Sequence, residues 1–542
     1  MTERIVAQAQ RLAPSDDNRR WWTLGAMCFA LFMIMLDNTV VNVALPSIQR
    51  DLHTTLSGLE WTINAYTLVF AVLLVTAGRL GDVFGRRRMF IFGVVTFALS
   101  SAAIGAAPTA TWLVAGRAVQ GIGAAFMMPA TLSIITNAFP AHERGKAIGT
   151  WAGVSAIALA IGPMLGGYLV GHVSWRAIFY INLPVAALAV IVTLFATRES
   201  RDDTAPRSVD VPGVAALTVG IGALVYALVE GNKWGWGSGR IVGLFVLAGI
   251  ALAAFVVIER RVKLPMIDFS YFRSRSFLGA NLAAFTVSFA MFGMFLFLAL
   301  YFQNILHYSP FQAGLRFLPA TVVIMVLGPI AGRLADRVGP RPLITFGLVV
   351  VSASLVWQSF IKVNTSYAFL WPAFLLMGIG MAFVMSPMST AAMNAIDRTK
   401  AGAASGVLSM TRMVGGTFGV AVIGALISGL GRTQLDKHLP GVPAGVRSHL
   451  ADTLGAGGAA GGAHSPQITD ALRHAYVYGL GHSLRVSAAL ALVGALLAWV
   501  FVTRDAEVKP ELDAEGITAA AQAPARTEPA APAERSGEPV SV

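Results

Sequence analysis

A single cysteine, Cys28, stands among 542 residues, which excludes an intrachain disulfide framework and a cysteine-rich metal site. Charge is scarce as well. Asp, Glu, Lys and Arg make up 13% of the chain, against roughly 25% in soluble domains, so most of it is suited to lipid. No G-x-x-x-x-G-K-[ST] run is present to cradle ATP phosphates. The Gly-Ile-Gly triplets lie inside apolar runs with no strand before them, and so are not dinucleotide fingerprints. The nine histidines fall mainly in loops or at span ends, without ligand spacing. No metal, cofactor or catalytic constellation is expected. Acidic residues number 28 against 40 basic ones, a net charge of +12. That balance would suit nucleic acid in a soluble protein. In a membrane protein it reflects Lys and Arg retained in the loops on the inner side, and nucleic acid is not an expected partner. A cleavable signal peptide is not expected, because the apolar run from Trp21 is too long and lacks a small-residue cleavage site.

What is present is a series of long apolar runs. About fourteen are long enough for a ~30 Å hydrocarbon core, near 22–45, 60–80, 89–108, 111–136, 147–170, 176–196, 211–230, 240–258, 276–302, 312–334, 342–361, 366–393, 405–429 and 483–503. They are continuous, not alternating, which favours helices over a barrel. Alternate loops hold the arginines and lysines, so both termini are expected to be cytoplasmic. Segment 431–482 contains "GAGGAAGGAH" and reads as a long extracytoplasmic loop, with "TDALRHAYVYGL" as a short interfacial helix. Residues 1–20 form a cytoplasmic lead-in. The tail 504–542, rich in Ala, Pro and Glu, reads as disordered.

An internal repeat organises these runs. "GRLGDVFGRRR" from Gly78 recurs as "GRLADRVGPRP" from Gly332, and "GIGAAFMMP" from Gly121 recurs as "GIGMAFVMSP" from Gly378. The offsets (332 − 78 = 254; 378 − 121 = 257) are nearly equal, so one duplicated unit holds both. Each motif pair brackets helices two to four of its unit, which gives two six-helix bundles, 21–196 and 276–503. The runs within 211–258 are an inserted pair. Two such bundles form a transporter architecture with sites at the interface between them. The expected fold is thus an all-α integral membrane protein.

The residues that carry chemistry are few. Asp37, in "LDNTVVNVALP", is the only acidic residue well inside a predicted span. Burying an ionised Asp near a helix centre costs about 2.5–3.5 kcal/mol on the insertion scale. It must face a cavity, pair with a cation, take a proton, or be held by Asn38, Thr39 or Asn42. Arg117 lies in the fourth run with Gln120 one turn on, before Gly121. It either has a partner in the bundle interior or snorkels to the helix end. Its counterpart in the second unit is Phe374. In the first loop motif, Gly78, Gly81 and Gly85 allow a tight turn and close helix approach, Asp82 can meet a helix N-terminus or an arginine, and Arg79, Arg86 and Arg87 hold the inner face. In "GVSAIALAIGPMLGGYL", Gly153, Gly162, Gly166 and Gly167 with Pro163 permit kinking and close packing. Arg412 and Arg316 are further intramembrane charges. Tyr66, Phe289, Phe292, Phe295 and Trp357 are expected lining of an apolar cavity.

These segments resemble the motifs of the major facilitator superfamily: the loop after helix two, the Arg-xx-Gln-Gly of helix four and the Gly-Pro-xx-Gly-Gly of helix five. The last is associated with antiporters. "LDNTVVNVALP", "WRAIFYINLP" and "YFQNILHYSPFQAGLRFLP" are similar to segments of the fourteen-helix drug/proton antiporter branch (EmrB/QacA type), and the likeness spans nearly the whole membrane region. Pro340 and Pro342 depart from the basic ending of the loop motif. The resemblance implies multidrug efflux across a bacterial inner membrane, driven by a proton gradient and not by a cofactor. It assigns Asp37 to proton or substrate handling. The partners it implies are amphipathic small molecules, cationic ones included, with protons and the bilayer, and it is compatible with a monomer. A dedicated exporter of one metabolite, antibiotic, siderophore or lipid is the alternative within the class, and a non-transporting receptor or scaffold the alternative outside it.

Overall fold

A computed structural model describes residues 16–54, 56–201, 210–262, 269–455 and 465–503. The lead-in before residue 16 and the tail 504–542 lie outside the described residues. Fourteen long helices account for the membrane region: α1 (Asp16–Leu52), α2 (Leu56–Phe84), α3 (Arg86–Gly105), α4 (Ala110–Ala138), α5 (Ala141–His172), α6 (Asn182–Ala196), α7 (Val211–Trp234), α8 (Gly239–Arg261), α9 (Arg275–Leu300), α10 (Leu318–Val338), α11 (Pro340–Gln358), α12 (Tyr367–Asn394), α13 (Ala401–His438) and α14 (Pro466–Phe501). Among the described residues thirteen helices are long and apolar enough to cross a membrane. The further one, α5, is a 32-residue helix over the expected fifth run.

The repeat is visible as equivalent helix crossings. α3 meets α4 where a Cβ on Gly123 would lie 2.8 Å from the Gly93 carbonyl oxygen, and α11 meets α12 where one on Gly347 would lie 2.7 Å from that of Gly380. Likewise Gly121 closes on the Tyr66 carbonyl and Gly378 on that of Ala320. Each offset is again 254 or 257 (347 − 93; 380 − 123; 320 − 66). The turn glycines repeat as well: Gly85 and Gly339 have φ of 106° and 87°, a conformation that glycine adopts without steric cost. The inserted α7 and α8 pack on each other, and α7 also touches α2 and α13.

One stretch differs from expectation. Segment 431–482 is not mainly a loop. α13 continues through Gly431 to His438, a further helix spans Ala444–Gly455, and α14 begins at Pro466. "TDALRHAYVYGL" is the first part of α14 and not a separate interfacial helix. Leu472, Ala475, Tyr476 and Leu480 are buried there, and Tyr476 Oη donates to the Phe297 carbonyl at 2.7 Å. The polar residues that broke the hydropathy pattern, such as Arg473 and His474, fall outside this buried stripe. Tertiary packing carries the helix on where apolar length alone would end it. Residues 456–464, which hold the rest of the "GAGGAAGGAH" stretch, lie outside the described residues.

Candidate functional site

Six polar side chains from five helices meet inside the first bundle. Asp37 of α1 is 2% exposed and Arg117 of α4 is 1% exposed, so neither snorkels. Arg117 Nη1 donates to Asp37 Oδ2 at 2.5 Å and to Gln120 Oε1 at 2.6 Å, while its Nε donates to the Thr62 carbonyl of α2 at 3.0 Å. The other carboxylate oxygen, Oδ1, accepts from Gln120 Nε2 at 3.0 Å and from Asn182 Nδ2 of α6 at 3.5 Å. Ser101 of α3 ties the two amides together, accepting from Gln120 at 2.7 Å and from Asn182 at 3.2 Å. The Tyr66 ring lies 4.2 Å from the guanidinium, a cation–π contact. The three-residue spacing of Arg117 and Gln120 puts both on one face of α4, so one helix supplies the cation and the amide that orient a single carboxylate.

This arrangement answers how a carboxylate is held in an apolar helix. Asn38 and Thr39 donate to carbonyls of their own helix, Ile34 and Leu36; the side chain of Asn42 lies outside the described residues. Removing one member of a buried ion pair costs about 3–5 kcal/mol because the other charge is left uncompensated. A proton on Asp37 would discharge the pair at its centre. Among the described residues the second bundle has no such cluster: Phe374, the counterpart of Arg117, is buried with Phe302 and Phe317.

The loop motif forms a clasp between the bundles. Asp82 is fully buried. Its Oδ1 accepts from Arg86 Nε and Nη2 at 2.9 and 2.6 Å and from the Gly402 amide at 2.8 Å, and its Oδ2 accepts from the Ala403 amide at 2.7 Å. The carboxylate thus caps the N-terminus of α13, where the amides and the helix dipole favour an anion. Arg86 also donates to the Thr399 carbonyl at 2.7 Å. Gly78 lets α2 and α13 touch, as a Cβ there would lie 2.3 Å from the Gly402 carbonyl oxygen. Gly81 meets only the Arg86 side chain at 3.9 Å, so it is not a point of close approach. Arg87 donates to the Leu194 carbonyl at 3.3 Å, while Arg79 is half-buried. In the second copy Asp336 accepts from the Gly145 amide at the start of α5, at 3.3 Å, despite the changed ending of its motif. Each motif acid therefore accepts from the backbone of a helix in the other bundle.

The glycines of α5 divide between two neighbours. Gly162 and Gly166 face α1, where added Cβ atoms would lie 1.8 Å from Thr39 Oγ1 and 3.1 Å from Val40, beside Asp37. Gly153 faces Met325 of α10, and Gly167 meets nothing within 4 Å. The Pro163 side chain lies outside the described residues. Arg316 is not within the tenth span. It ends a short helix, Pro310–Arg316, before α10 begins at Leu318, and it stacks 3.5 Å from the Tyr308 ring centre. Arg412 lies within α13. Of the expected lining aromatics, Tyr66 and Phe289 are buried in helix packing, Phe295 packs on Phe317, and Phe292 and Trp357 are exposed.

Sequence reasoning singled out Asp37, Arg117 and Gln120 but missed Asn182, Ser101 and Thr62. Their signal was polarity inside apolar runs. Asn182 lies in "WRAIFYINLP", whose Trp175 and Arg176 donate to Asp51 at 2.9 and 2.5 Å. These two bonds, the indole first, hold the Asp51 carboxyl below its ordinary range.

The sequence profile of the Major Facilitator Superfamily matches residues 27–420. The chain is 34% identical over 499 residues to the tetracenomycin C resistance and export protein of Streptomyces glaucescens, covering 90% of this chain and 92% of that one. It is 36% identical to the puromycin resistance protein of Streptomyces alboniger, covering 93% and 95%. With the multidrug resistance protein Stp of Mycobacterium tuberculosis it shares 39% identity, covering 79% and 80%. Its fold resembles that of the proton:xylose symporter XylE, with a TM-score of 0.61 at 14% identity over 92% of this chain and all of that one. The chain is a multi-pass membrane transporter and not an enzyme, and it belongs to the major facilitator superfamily.

Proposed function

We propose that this transporter exports amphipathic small molecules, drugs among them, across a bacterial inner membrane in exchange for protons. The observation that carries the coupling is the buried Asp37–Arg117 pair, in which the carboxylate accepts from Arg117, Gln120 and Asn182. Protonation of Asp37 neutralises the carboxylate and frees Arg117, Gln120 and Asn182 to rearrange. α5 packs on α1 beside Asp37 through Gly162 and Gly166, and on α10 of the other bundle through Gly153. A change at the pair can therefore reach the bundle interface through one helix. In this reading the clasped end faces the cytoplasm, with both chain termini, and the clasp alternates with a state in which that end opens. The relatives named for resistance and export support the direction of transport.

A narrower reading, dedicated export of one compound, is favoured by relatives named for a single antibiotic, tetracenomycin C or puromycin. A substrate panel in a pump-deficient host separates the two. Broad export predicts raised tolerance to several unrelated compounds, abolished by a protonophore. Tolerance to one compound alone identifies the dedicated exporter, and tolerance that survives the protonophore contradicts proton coupling.

A further inference from the structure

α13 carries a charge that the coupling pair and the clasp do not use. Residues 401–409 of this helix are buried, whereas Met410, Thr411, Arg412, Met413 and Val414 are all half-buried before Gly415 and Gly416 are buried again. At 1.5 Å per residue, Arg412 lies about 17 Å from the start of α13 and about 10 Å along the apolar run 405–429, inside a ~30 Å core. It stands seven residues, close to two full turns, beyond Ser405, and so on the same face. Ser405 donates across the bundle interface to the Pro129 carbonyl of α4 at 2.9 Å. That face is filled by the first bundle at Ser405. Two turns on it opens.

Arg412 makes no hydrogen bond, ion pair or ring contact with any described residue. Two carboxylates buried in the first bundle are matched: Asp37 by Arg117, and Asp82 by Arg86 and the α13 amides. An unmatched guanidinium inside the membrane core is costly, and such residues mark ligand pathways. One turn further on, on the same face, Gly416 lies against the ring of Phe292 of α9, where an added Cβ would be 2.8 Å from it, and nearby Phe285 of α9 packs on Phe418 with ring centres 5.9 Å apart. A fixed cation thus adjoins an aromatic surface, while Asp37, the carboxylate that a cationic ligand would seek, is enclosed by its own partners.

We infer that Arg412 is a substrate-binding residue and that the substrates are amphipathic acids, an aromatic or apolar body bearing one anionic group such as a carboxylate or sulfonate. The planar guanidinium offers paired donors to such a group. The inference rests on the export reading, and it reverses the expectation of cationic substrates.

The test uses the full chain in lipid nanodiscs, with binding measured against empty discs. The probes are anilinonaphthalene sulfonate and its sulfonate-free parent, phenylnaphthylamine. Arg412→Gln should weaken sulfonate binding roughly ten- to hundredfold, the size of a lost charge-assisted contact, and alter parent binding less than about twofold. Arg412→Lys should retain most of the sulfonate affinity. Retained parent binding reports that the Gln variant is folded. Equal loss of both probes in Arg412→Gln, no loss of either, or a wild type that takes up no sulfonate would overturn the inference. Binding needs no gradient. Failure of the export reading instead appears as absent gradient-driven flux in vesicles while probe selectivity persists.

Discussion

Replacing Asp82 by Asn should unfasten the clasp while leaving the bundles folded. Two of the bonds to Asp82 come from Arg86 in its own bundle, and two come from the Gly402 and Ala403 amides of the other. Only the second pair is made and broken as the bundles part. A hydrogen bond to a charged group contributes about 1.5–3 kcal/mol, so those two favour the clasped state by about 3–6 kcal/mol. Asparagine keeps the shape but loses the charge, and its amide nitrogen is a donor facing another donor, so about one neutral bond of ~1 kcal/mol survives. The net loss is about 2–5 kcal/mol, which shifts the balance between states at least thirtyfold or so. Spin labels at positions 88 and 337, both exposed and in different bundles, report the separation on a Cys28→Ser background. Wild type should show one short-distance population, and Asp82→Asn should add a longer one and transport more slowly at normal membrane insertion. Identical distance distributions with normal transport kinetics would refute the clasp.

Two further outcomes follow from the helix packing and the charge distribution. Gly162→Ala places a Cβ 1.8 Å from Thr39 Oγ1, whereas Gly167→Ala meets nothing within 4 Å. The first should cost about 1–3 kcal/mol through overpacking and impair transport, and the second should be silent. Melting temperatures and flux of the two purified variants check this, and equal behaviour would contradict the α1–α5 contact. On a Cys28-free background, a cysteine at 445 should react with an impermeant reagent only from outside and one at 337 only from inside. The reverse pattern would invert the topology.

The repeat was legible because its motifs are small-residue and charged stretches that stand out against apolar surroundings. The crossings at Gly93–Gly123 and Gly347–Gly380 keep the same offsets. Asp37, Arg117 and Gln120 were legible for a related reason, since a polar group in lipid needs a partner. Their contact was not, because nothing in a sequence gives the distance between α1 and α4. Asn182 and Ser101 are neutral and common enough in membrane helices to pass unnoticed until the structure put them on the same carboxylate. The 431–482 segment misled for the opposite reason. Its composition is polar and glycine-rich, but buried Leu435, Leu450, Leu454 and Leu472 extend helical packing past the apolar runs. Arg316 was placed inside a span because Phe317 and Leu318 continue the apolar pattern, yet the backbone breaks there and α10 starts afresh with Pro319 in its first turn.

In the proposed cycle Asp37 carries the transported proton. Asp37→Asn removes the charge while nearly keeping the shape, and its amide oxygen can still accept from Arg117. The test is substrate accumulation by reconstituted vesicles under an imposed pH gradient, with downhill exchange measured in the same preparation. Asp37→Asn should insert and fold, retain downhill exchange, and lose accumulation against a substrate gradient. Unchanged gradient-driven accumulation by Asp37→Asn would contradict the account, leaving the buried pair as structure and the coupling group elsewhere in the chain.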